Sequence, residues 1–172
     1  MNPQDVVVHK IPSQSTIAEE ALSIALDDSQ WMPYYNFMAK PVPLEILQKD
    51  PFLKWLGERY NFIAGITKSD PFSVYAWHID SRRGVGINML LSFDGFSMCL
   101  FSTHDPQIVR PILPIQYTPN EYYVFNTQQM HTVLNFDKPR YLFTIEFELD
   151  KDSLSYDELV NDIKENWGKH EQ

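Results

Sequence analysis

The sequence predicts a mainly β fold of the jelly-roll type with flanking helices, and two observations lead to this prediction. Between residues 73 and 149, six short segments rich in β-branched and aromatic residues follow one another at regular intervals, separated by turn sequences. Strands do not alternate with helical segments in this region, which disfavours a parallel sheet. Short strands at regular spacing are typical of an antiparallel sandwich or barrel.

The length and composition are those of one globular domain. The chain has 172 residues, 44% of them hydrophobic, with 11 Phe, 9 Tyr and 4 Trp. This composition disfavours an intrinsically disordered protein. We therefore expect a single domain over residues 1–172. It would comprise a mainly helical N-terminal support (1–72), the jelly-roll core (73–149) and a C-terminal helix (150–172).

The N-terminal part contains two predicted helices and one predicted strand. A capping-box pattern, Thr16 followed by Glu19, predicts a helix that ends by Leu26. The aromatic-rich segment 31–38 predicts a strand. A second helix is predicted over residues 44–60, and the proline of Asp50-Pro51 is expected to divide it in two.

The core contains six predicted strands. They cover residues 73–79, 85–93, 96–102, 121–126, 130–135 and 140–149. Asp94-Gly95 predicts a tight hairpin between the second and third strands, and the turn 136–139 predicts a hairpin between the last two. After the core, a second capping box, Ser155 followed by Glu158, predicts a helix that ends at Gly168.

The net charge of the chain and its single cysteine indicate which binding partners and which cellular compartment to expect. The 14 Lys and Arg residues against 23 Asp and Glu residues give a formal charge of -9, which disfavours binding to nucleic acid phosphates. No apolar run approaches the length of about 18 residues that a membrane span requires, so no membrane segment is expected. Cys99 is the only cysteine, which excludes an internal disulfide and fits a reducing, cytoplasmic location.

Three residues of the core have the composition of a metal site. His78 and Asp80 lie at the end of the first core strand, and His131 lies 51 residues after Asp80. Two neutral imidazoles and one carboxylate on one side of an ion form the facial triad of non-haem Fe(II) oxygenases, which leaves coordination positions open. Arg140, nine residues after His131, offers a planar cation for the far carboxylate of a 2-oxo acid.

Strand alternation predicts which side chains share a face. Val74, Ala76 and His78 are expected on one side of the first core strand, which leaves room above a metal. A sandwich would then bring His131 from a distant strand to face His78. On the last strand, Arg140 and every second residue after it are expected to face inward, and the residues between them to face the helices.

At these residues the sequence resembles the Fe(II)/2-oxoglutarate-dependent oxygenases, and above all their short members related to prolyl 4-hydroxylases and aspartyl/asparaginyl β-hydroxylases. The resemblance lies within residues 73–149, a little under half of the chain. It implies a double-stranded β-helix (jelly-roll or cupin-like) flanked by helices. The matching stretches are 77–80 (Trp-His-Ile-Asp), 86–90 (Gly-Ile-Asn-Met-Leu), 124–127 (Val-Phe-Asn-Thr), 131–133 (His-Thr-Val) and Arg140.

The resemblance also implies roles for the site residues. His78, Asp80 and His131 would bind Fe(II), and Arg140 would bind 2-oxoglutarate. With dioxygen as the second cosubstrate, the implied reaction is the hydroxylation of a peptide side chain or of a small metabolite. No catalytic side chain beyond the metal ligands is implied.

One position departs from the pattern of this family. Many relatives carry Ser or Thr two residues after the arginine, where this chain has Leu142. Thr144, on the same face, or Asn88 is expected to take the place of that hydroxyl beside the cosubstrate.

Two other functions remain open at this point. A jelly-roll module could bind a ligand or partner without catalysis, with the three residues vestigial or structural, and the missing hydroxyl at Leu142 favours this alternative. A cupin-type metalloenzyme could instead use iron, manganese or nickel without an oxo acid. The sequence identifies neither the oligomeric state nor the substrate, which loops such as 81–84 and 103–118 would recognise.

Overall fold

A computed structural model describes residues 3–35, 37–91, 95–102 and 112–168. The strands within these ranges are β1 (Val8–Gln14), β2 (Met32–Tyr34), β3 (Phe37–Pro41), β4 (Phe62–Ser69), β5 (Ser73–His78), β6 (Gly86–Leu90), β7 (Ser97–Ser102), β8 (Ile112–Ile115), β9 (Glu121–Phe125), β10 (Met130–Asn135) and β11 (Arg140–Phe147). The helices are α1 (Ala18–Leu26), α2 (Leu44–Leu47), α3 (Pro51–Gly57) and α4 (Tyr156–Asp162), with a 3-10 turn at Pro3–Val6 and a π-helical turn at Ile163–Trp167. No helix in the described part of the chain is long and apolar enough to cross a bilayer.

The described strands form two antiparallel sheets. The larger sheet has the order β1-β9-β6-β11-β4-β3-β2, and the smaller has the order β5-β10-β7-β8. Most neighbours within a sheet are not consecutive along the chain, because the chain crosses repeatedly from one sheet to the other. This architecture confirms the predicted mainly β fold with flanking helices.

The helices cover the outer face of the larger sheet. Buried residues of α1, α3 and α4 form one apolar cluster with buried residues of β6, β9 and β11. Phe52 of α3, Leu159 of α4 and Phe143 of β11 are each 0% exposed. Full burial of such a side chain contributes about 1.5–3 kcal/mol, so this cluster is the main attachment of the helices to the sheet.

β11 separates the two faces of the larger sheet as predicted. Phe143 and Ile145 lie in the cluster beneath the helices, whereas Arg140, Thr144 and Glu146 line a cavity on the opposite face. β11 also pairs with β4 on one side and β6 on the other. The strand that carries Arg140 is therefore held on both edges and on one face.

The N-terminal part differs from its prediction. The sequence predicts mainly helical structure with one strand over residues 1–72, whereas four strands, β1 to β4, lie there. β1 pairs with β9, and β4 pairs with β11. These segments are extended because the core offers them a strand partner, and strand formation depends on such tertiary context more than on local pattern.

The predictions for helix ends are correct at three places, and one predicted cap is wrong. α1 ends at Leu26 as predicted. α2 and α3 are separate helices divided at Pro51, and the capping box of Ser155 and Glu158 forms at the start of α4. The box predicted at Thr16 does not form. α1 begins at Ala18 without a side-chain cap, because Thr16 is bonded elsewhere.

Both predicted hairpins of the core are wrong. β10 and β11, on either side of the turn 136–139, belong to different sheets. β6 and β7, on either side of Asp94-Gly95, also belong to different sheets, and Asp94 lies outside the described residues. A turn sequence signals that the chain reverses, but it does not specify the sheet in which the next strand pairs.

Asp50 joins three parts of the fold from the interior. The residue is 0% exposed. Its carboxylate accepts hydrogen bonds from the backbone N–H groups of Leu53 at 3.1 Å and Thr16 at 2.9 Å, and from the hydroxyl of Tyr122 at 3.0 Å. It therefore caps α3 and fixes the start of α1 against β9, and the donors around it compensate for the burial of its charge.

We expect Asp50→Ala to lower the free energy of unfolding by about 2–4 kcal/mol, because it removes a helix cap and leaves buried donors without an acceptor. Denaturant unfolding followed by circular dichroism measures the change. Asp50→Asn is the matched control, since its amide oxygen still accepts from Leu53, and it should lose less stability. An alanine variant as stable as the wild type would contradict this role.

Candidate metal centre

His78 and His131 lie next to each other on adjacent strands. They are directly opposed Cα partners in the antiparallel pair of β5 and β10, and their ring centres are 4.2 Å apart. The sequence predicts that His131 faces His78 from a distant strand, and this is wrong in its geometry. The two histidines are neighbours in one sheet, which brings them closer than facing sheets would.

Asp80 completes a cluster that could hold a metal ion. Its Oδ1 atom lies 3.4 Å from Nε2 of His78 and 3.9 Å from Nε2 of His131. One ligand atom from each of the three residues lies within 4.8 Å of the others. The backbone N–H of Asp80 donates to the carbonyl of Thr127 at 3.1 Å, which continues the pairing beyond the end of β5 and holds the carboxylate beside the rings.

Backbone carbonyls orient both imidazoles. Nδ1 of His78 bonds to the carbonyl of Ala76 at 2.7 Å, and Nδ1 of His131 bonds to the carbonyl of Gln129 at 2.8 Å. Because a carbonyl only accepts, Nδ1 carries the proton in each bond, and in the neutral ring Nε2 keeps its lone pair. Both Nε2 atoms thus lie beside the Asp80 carboxylate, each with a lone pair that can bind a metal ion.

Burial keeps the ring of His131 uncharged. The residue is 4% exposed, and desolvation lowers its pKa to about 4 against opposing contributions from the Gln129 carbonyl and Asp80. The ring is therefore neutral at pH 7 before any ion arrives. A neutral imidazole is the form that binds metals.

Arg83 holds the second oxygen of the Asp80 carboxylate. Its Nη2 atom lies 2.6 Å and its Nε atom 2.8 Å from Oδ2 of Asp80. Burial opposes ionisation of Asp80, but the neighbouring His78 ring and the charge of Arg83 outweigh it and keep the pKa of the carboxyl below its ordinary value. One carboxylate oxygen is thus held by Arg83, while the other faces the two rings.

The turn that carries Arg83 is fixed in place. The backbone carbonyl of Arg83 accepts hydrogen bonds from Thr127 Oγ1 and Gln128 Nε2, both at 2.6 Å. A Cβ atom at Gly84 would lie 2.2 Å from the carbonyl oxygen of Lys151, so only glycine allows this approach. The one signal for this ion pair in the sequence is the three-residue spacing of Asp80 and Arg83.

The predicted alternation along β5 is wrong because the strand contains an irregularity. The register of β5 against β10 shifts by one residue between the pairs His78–His131 and Tyr75–Val133. The extra residue brings Tyr75 to the same side as His78, with ring centres 4.1 Å apart. Val74, which the sequence places beside His78, is 64% exposed. Bulges of this kind redirect side chains next to functional sites.

A cavity of about 250 Å³ lies in front of the three residues, between the two sheets. The larger sheet contributes the predicted residues Arg140, Asn88 and Thr144 to its wall. Glu146 also lines it and accepts a hydrogen bond from the hydroxyl of Tyr34, a pair that the sequence pattern did not indicate. The structure thus brings all six predicted site residues to one cavity.

Arg140 is a buried cation that pairs with no acidic side chain among the residues that the structure describes. It is 6% exposed, and its Nε atom has no hydrogen-bond partner among the described residues. The two acidic residues nearest to Arg140 along the chain have other partners: Asp137 accepts from the backbone of Phe96 at 2.7 Å, and Glu146 accepts from Tyr34. Buried charges normally have a partner, so the guanidinium is available to an anionic ligand in the cavity.

Tyr117 lies beside Arg140 and brings a hydroxyl group to the cavity that Leu142 also lines. The Cζ atom of Arg140 is 5.8 Å from the centre of its ring, and Asn88 Nδ2 donates weakly to its hydroxyl at 3.5 Å. Thr144 Oγ1 donates to Asn88 Oδ1 at 2.9 Å. Burial raises the pKa of Tyr117, so the hydroxyl stays protonated. No pattern in the sequence marks this residue, which lies in a segment read as a loop.

Comparisons with known proteins identify the fold. No family model and no curated protein matches the chain. Among solved structures, a prolyl-4-hydroxylase of Pseudomonas putida matches with a TM-score of 0.57 and 14% identity over 81% of this chain and 91% of its own. An oxidoreductase of the 2OG-Fe(II) oxygenase family from Burkholderia pseudomallei matches with a TM-score of 0.58 and 17% identity over 89% and 88%.

A third similar structure was determined with a bound peptide. It is a prolyl hydroxylase from Trichoplax adhaerens in complex with a fragment of the hypoxia inducible factor oxygen degradation domain, with a TM-score of 0.61 and 13% identity over 84% of this chain and 83% of its own. At such identities the likeness concerns the fold. The chain has the double-stranded β-helix fold of the 2-oxoglutarate- and Fe(II)-dependent oxygenases, as the sequence predicts.

Proposed function

We propose that the protein is an Fe(II)- and 2-oxoglutarate-dependent oxygenase that hydroxylates a peptide side chain or a small metabolite. One observation carries the proposal: a His-Asp-His cluster lines the same cavity as a buried arginine that has no acidic partner within the described ranges. Two imidazoles and one carboxylate suit non-haem Fe(II). An unpaired guanidinium suits the second carboxylate of a dicarboxylic oxo acid.

The donor atoms fit a ferrous ion. His78 and His131 would each provide Nε2, and Asp80 would provide Oδ1, since Oδ2 is bound to Arg83. When bound, Fe(II) and 2-oxoglutarate supply the activation of dioxygen, in which one oxygen atom enters the substrate and the other enters the succinate formed with carbon dioxide. The protein's part is to leave one side of the ion open and to exclude bulk water from it.

The larger sheet would orient the oxo acid. Arg140 offers two parallel N–H groups to its far carboxylate, in a buried setting where such a charged pair is strong. Tyr117 adds a protonated hydroxyl beside it. Thr144 is bonded to Asn88, so this pair serves to hold the amide of Asn88 toward Tyr117. The contact that many relatives make from the position of Leu142 would thus come from the segment between β8 and β9.

A binding module without catalysis is the second candidate, and the absence of a hydroxyl at Leu142 favours it. The two functions differ in what the chain does with both cosubstrates present. Under air, an oxygenase slowly consumes 2-oxoglutarate even when its substrate is absent. A binding module with a structural metal site gains thermal stability from the metal by mass action but consumes no 2-oxoglutarate.

Anaerobic titration of the protein with Fe(II) and 2-oxoglutarate should produce a weak visible charge-transfer band. His131→Ala should abolish this band, because it removes a nitrogen donor of the ion. Ser81→Ala, a change at an exposed neighbour of Asp80, is the control and should keep it. A correctly folded wild-type chain that shows neither the band nor metal uptake would refute the proposal.

Arg140→Leu should weaken the binding of 2-oxoglutarate by at least about 30-fold, since loss of one partner of a buried charge pair costs about 2–5 kcal/mol. Metal affinity should change little. Calorimetric titration of the metal-free protein with Zn(II) measures the metal affinity, and titration of the Zn(II)-loaded protein with 2-oxoglutarate measures the affinity for the oxo acid. Arg140→Lys should weaken the binding of 2-oxoglutarate less than Arg140→Leu. Unchanged turnover in the leucine variant would instead favour a cupin-type metalloenzyme that needs no oxo acid.

Arg83→Met should weaken Fe(II) binding by about 10- to 100-fold, the usual effect of removing a group that orients a metal ligand. The loss arises because Asp80 would no longer be held in one orientation. Competition with a chelating dye measures the affinity. Arg82→Met removes an adjacent, exposed arginine of the same turn and should leave the affinity within about twofold. Equal effects of the two variants would mean that Arg83 acts only through net charge.

A further inference from the structure

The four outer edges of the two sheets are not equally protected. They are formed by β1 and β2 in the larger sheet and by β5 and β8 in the smaller. Proteins protect such edges with proline or charge, because an unpaired strand can accept a further strand. β1, β2 and β8 contain Pro12, Pro33 and Pro114. β5, with the sequence Ser-Val-Tyr-Ala-Trp-His, has no proline, lysine, arginine or acidic residue.

The outer edge of β5 borders a groove that leads to the metal cavity. The groove has a volume of about 580 Å³ and lies between β5, the start of β3 and the end of β4. Four residues line both the groove and the metal cavity: Tyr35, Phe37, Tyr75 and Val133. No strand of the described chain pairs with the outer edge of β5. We call this feature the β5-edge groove.

Exposed apolar side chains surround the β5-edge groove. Val74 is 64%, Met38 37% and Trp77 43% exposed, and Phe72, next to the first residue of β5, is 86% exposed. A concentration of exposed apolar side chains on a soluble protein marks an interaction surface. Here it coincides with the one unprotected edge among the described strands.

Two aromatic residues beside the groove have an unfavourable backbone conformation. Tyr35 has φ 51° and Phe72 has φ 55°, in the left-handed region that bulky residues rarely adopt. Each such residue costs on the order of 1–3 kcal/mol, and such conformations concentrate at ligand-binding sites. Tyr35 lines the groove, and Phe72 lies in the turn between its lining residues Asp70 and Ser73.

We propose that an extended peptide segment of a protein substrate binds in the β5-edge groove as an added fifth strand of the smaller sheet. The six residues of β5 span about 20 Å, enough for a peptide strand of similar length. Backbone pairing would supply affinity, and alternate apolar side chains of the peptide would contact the exposed residues of the groove. The proposal names a substrate class for the proposed oxygenase and rests on that function only for the reaction that follows.

The position of the groove favours a peptide over a second copy of the chain. β5 ends at His78, so a peptide paired with β5 runs directly toward the metal centre and can place one side chain before it. Two copies paired through their β5 strands would fill both grooves and close the entrances that these provide. Lys68 and Asp70 line the groove with opposite charges, so a peptide of low net charge fits it best.

The test uses ten-residue peptides selected from a random display library against the full-length protein. Their dissociation constants are measured by fluorescence polarisation for the wild type and two variants. Val74→Lys places a charge at the groove and should weaken binding at least 10-fold. Ile112→Lys makes the same kind of change at an exposed residue (53%) of β8, the opposite edge of the same sheet, and should leave binding within about twofold.

Two further measurements do not depend on a variant. Bound peptide should slow amide hydrogen exchange within residues 73–78. N-methylation of the peptide should abolish binding when the methyl group is placed at every second residue, whose N–H faces β5, and should be tolerated at the residues between them. Equal effects of the two lysine variants, or protection elsewhere, would overturn the proposal. So would a concentration-dependent dimer that Val74→Lys dissociates, since it would assign the edge to self-association. Peptide binding at β5 without any iron or oxo-acid binding would refute the oxygenase and leave the groove established.

Discussion

The register between β5 and β10 is the constraint on which the site depends. It sets His78 opposite His131, and a slip by one residue would turn one of the rings to the other face of the sheet. β10 is paired on its other side with β7 along its whole length, which holds that register from both sides. The irregularity in β5 then adds Tyr75 to the same face, so one strand contributes both a ligand and part of the cavity wall.

The two sheets contribute different chemistry to one cavity. The smaller sheet brings the nitrogen and oxygen donors, and the larger sheet brings a cation and hydroxyl groups through β11 and its neighbours. β11 is fixed by the apolar cluster under the helices, so Arg140 can remain buried although no described residue accepts a hydrogen bond from its Nε atom. The stability of that cluster thus offsets part of the cost of burying the charge.

The sequence predicts the four central residues because their chemistry stands out from the strands that carry them. His78, Asp80, His131 and Arg140 lie at strand ends in the order that the fold requires, and alternation along β11 predicts its inward face. Alternation fails on β5, since one extra residue reverses all later side chains. Tyr117 and the partner strands of β1 and β4 follow from tertiary pairing, which no local pattern contains. Turns reveal chain reversals but not the sheet that receives the next strand.

The two histidine rings share a local arrangement that orients them before any metal ion binds. In each case the Nδ1 partner is the carbonyl two residues earlier, Ala76 for His78 and Gln129 for His131. Neither ring has to rotate or exchange a proton between its nitrogens when an ion arrives, so the entropy of ordering them is lost during folding instead. If the three residues bind Fe(II) as proposed, the ion would meet ligands that are already oriented, and little further ordering of the chain would accompany its binding.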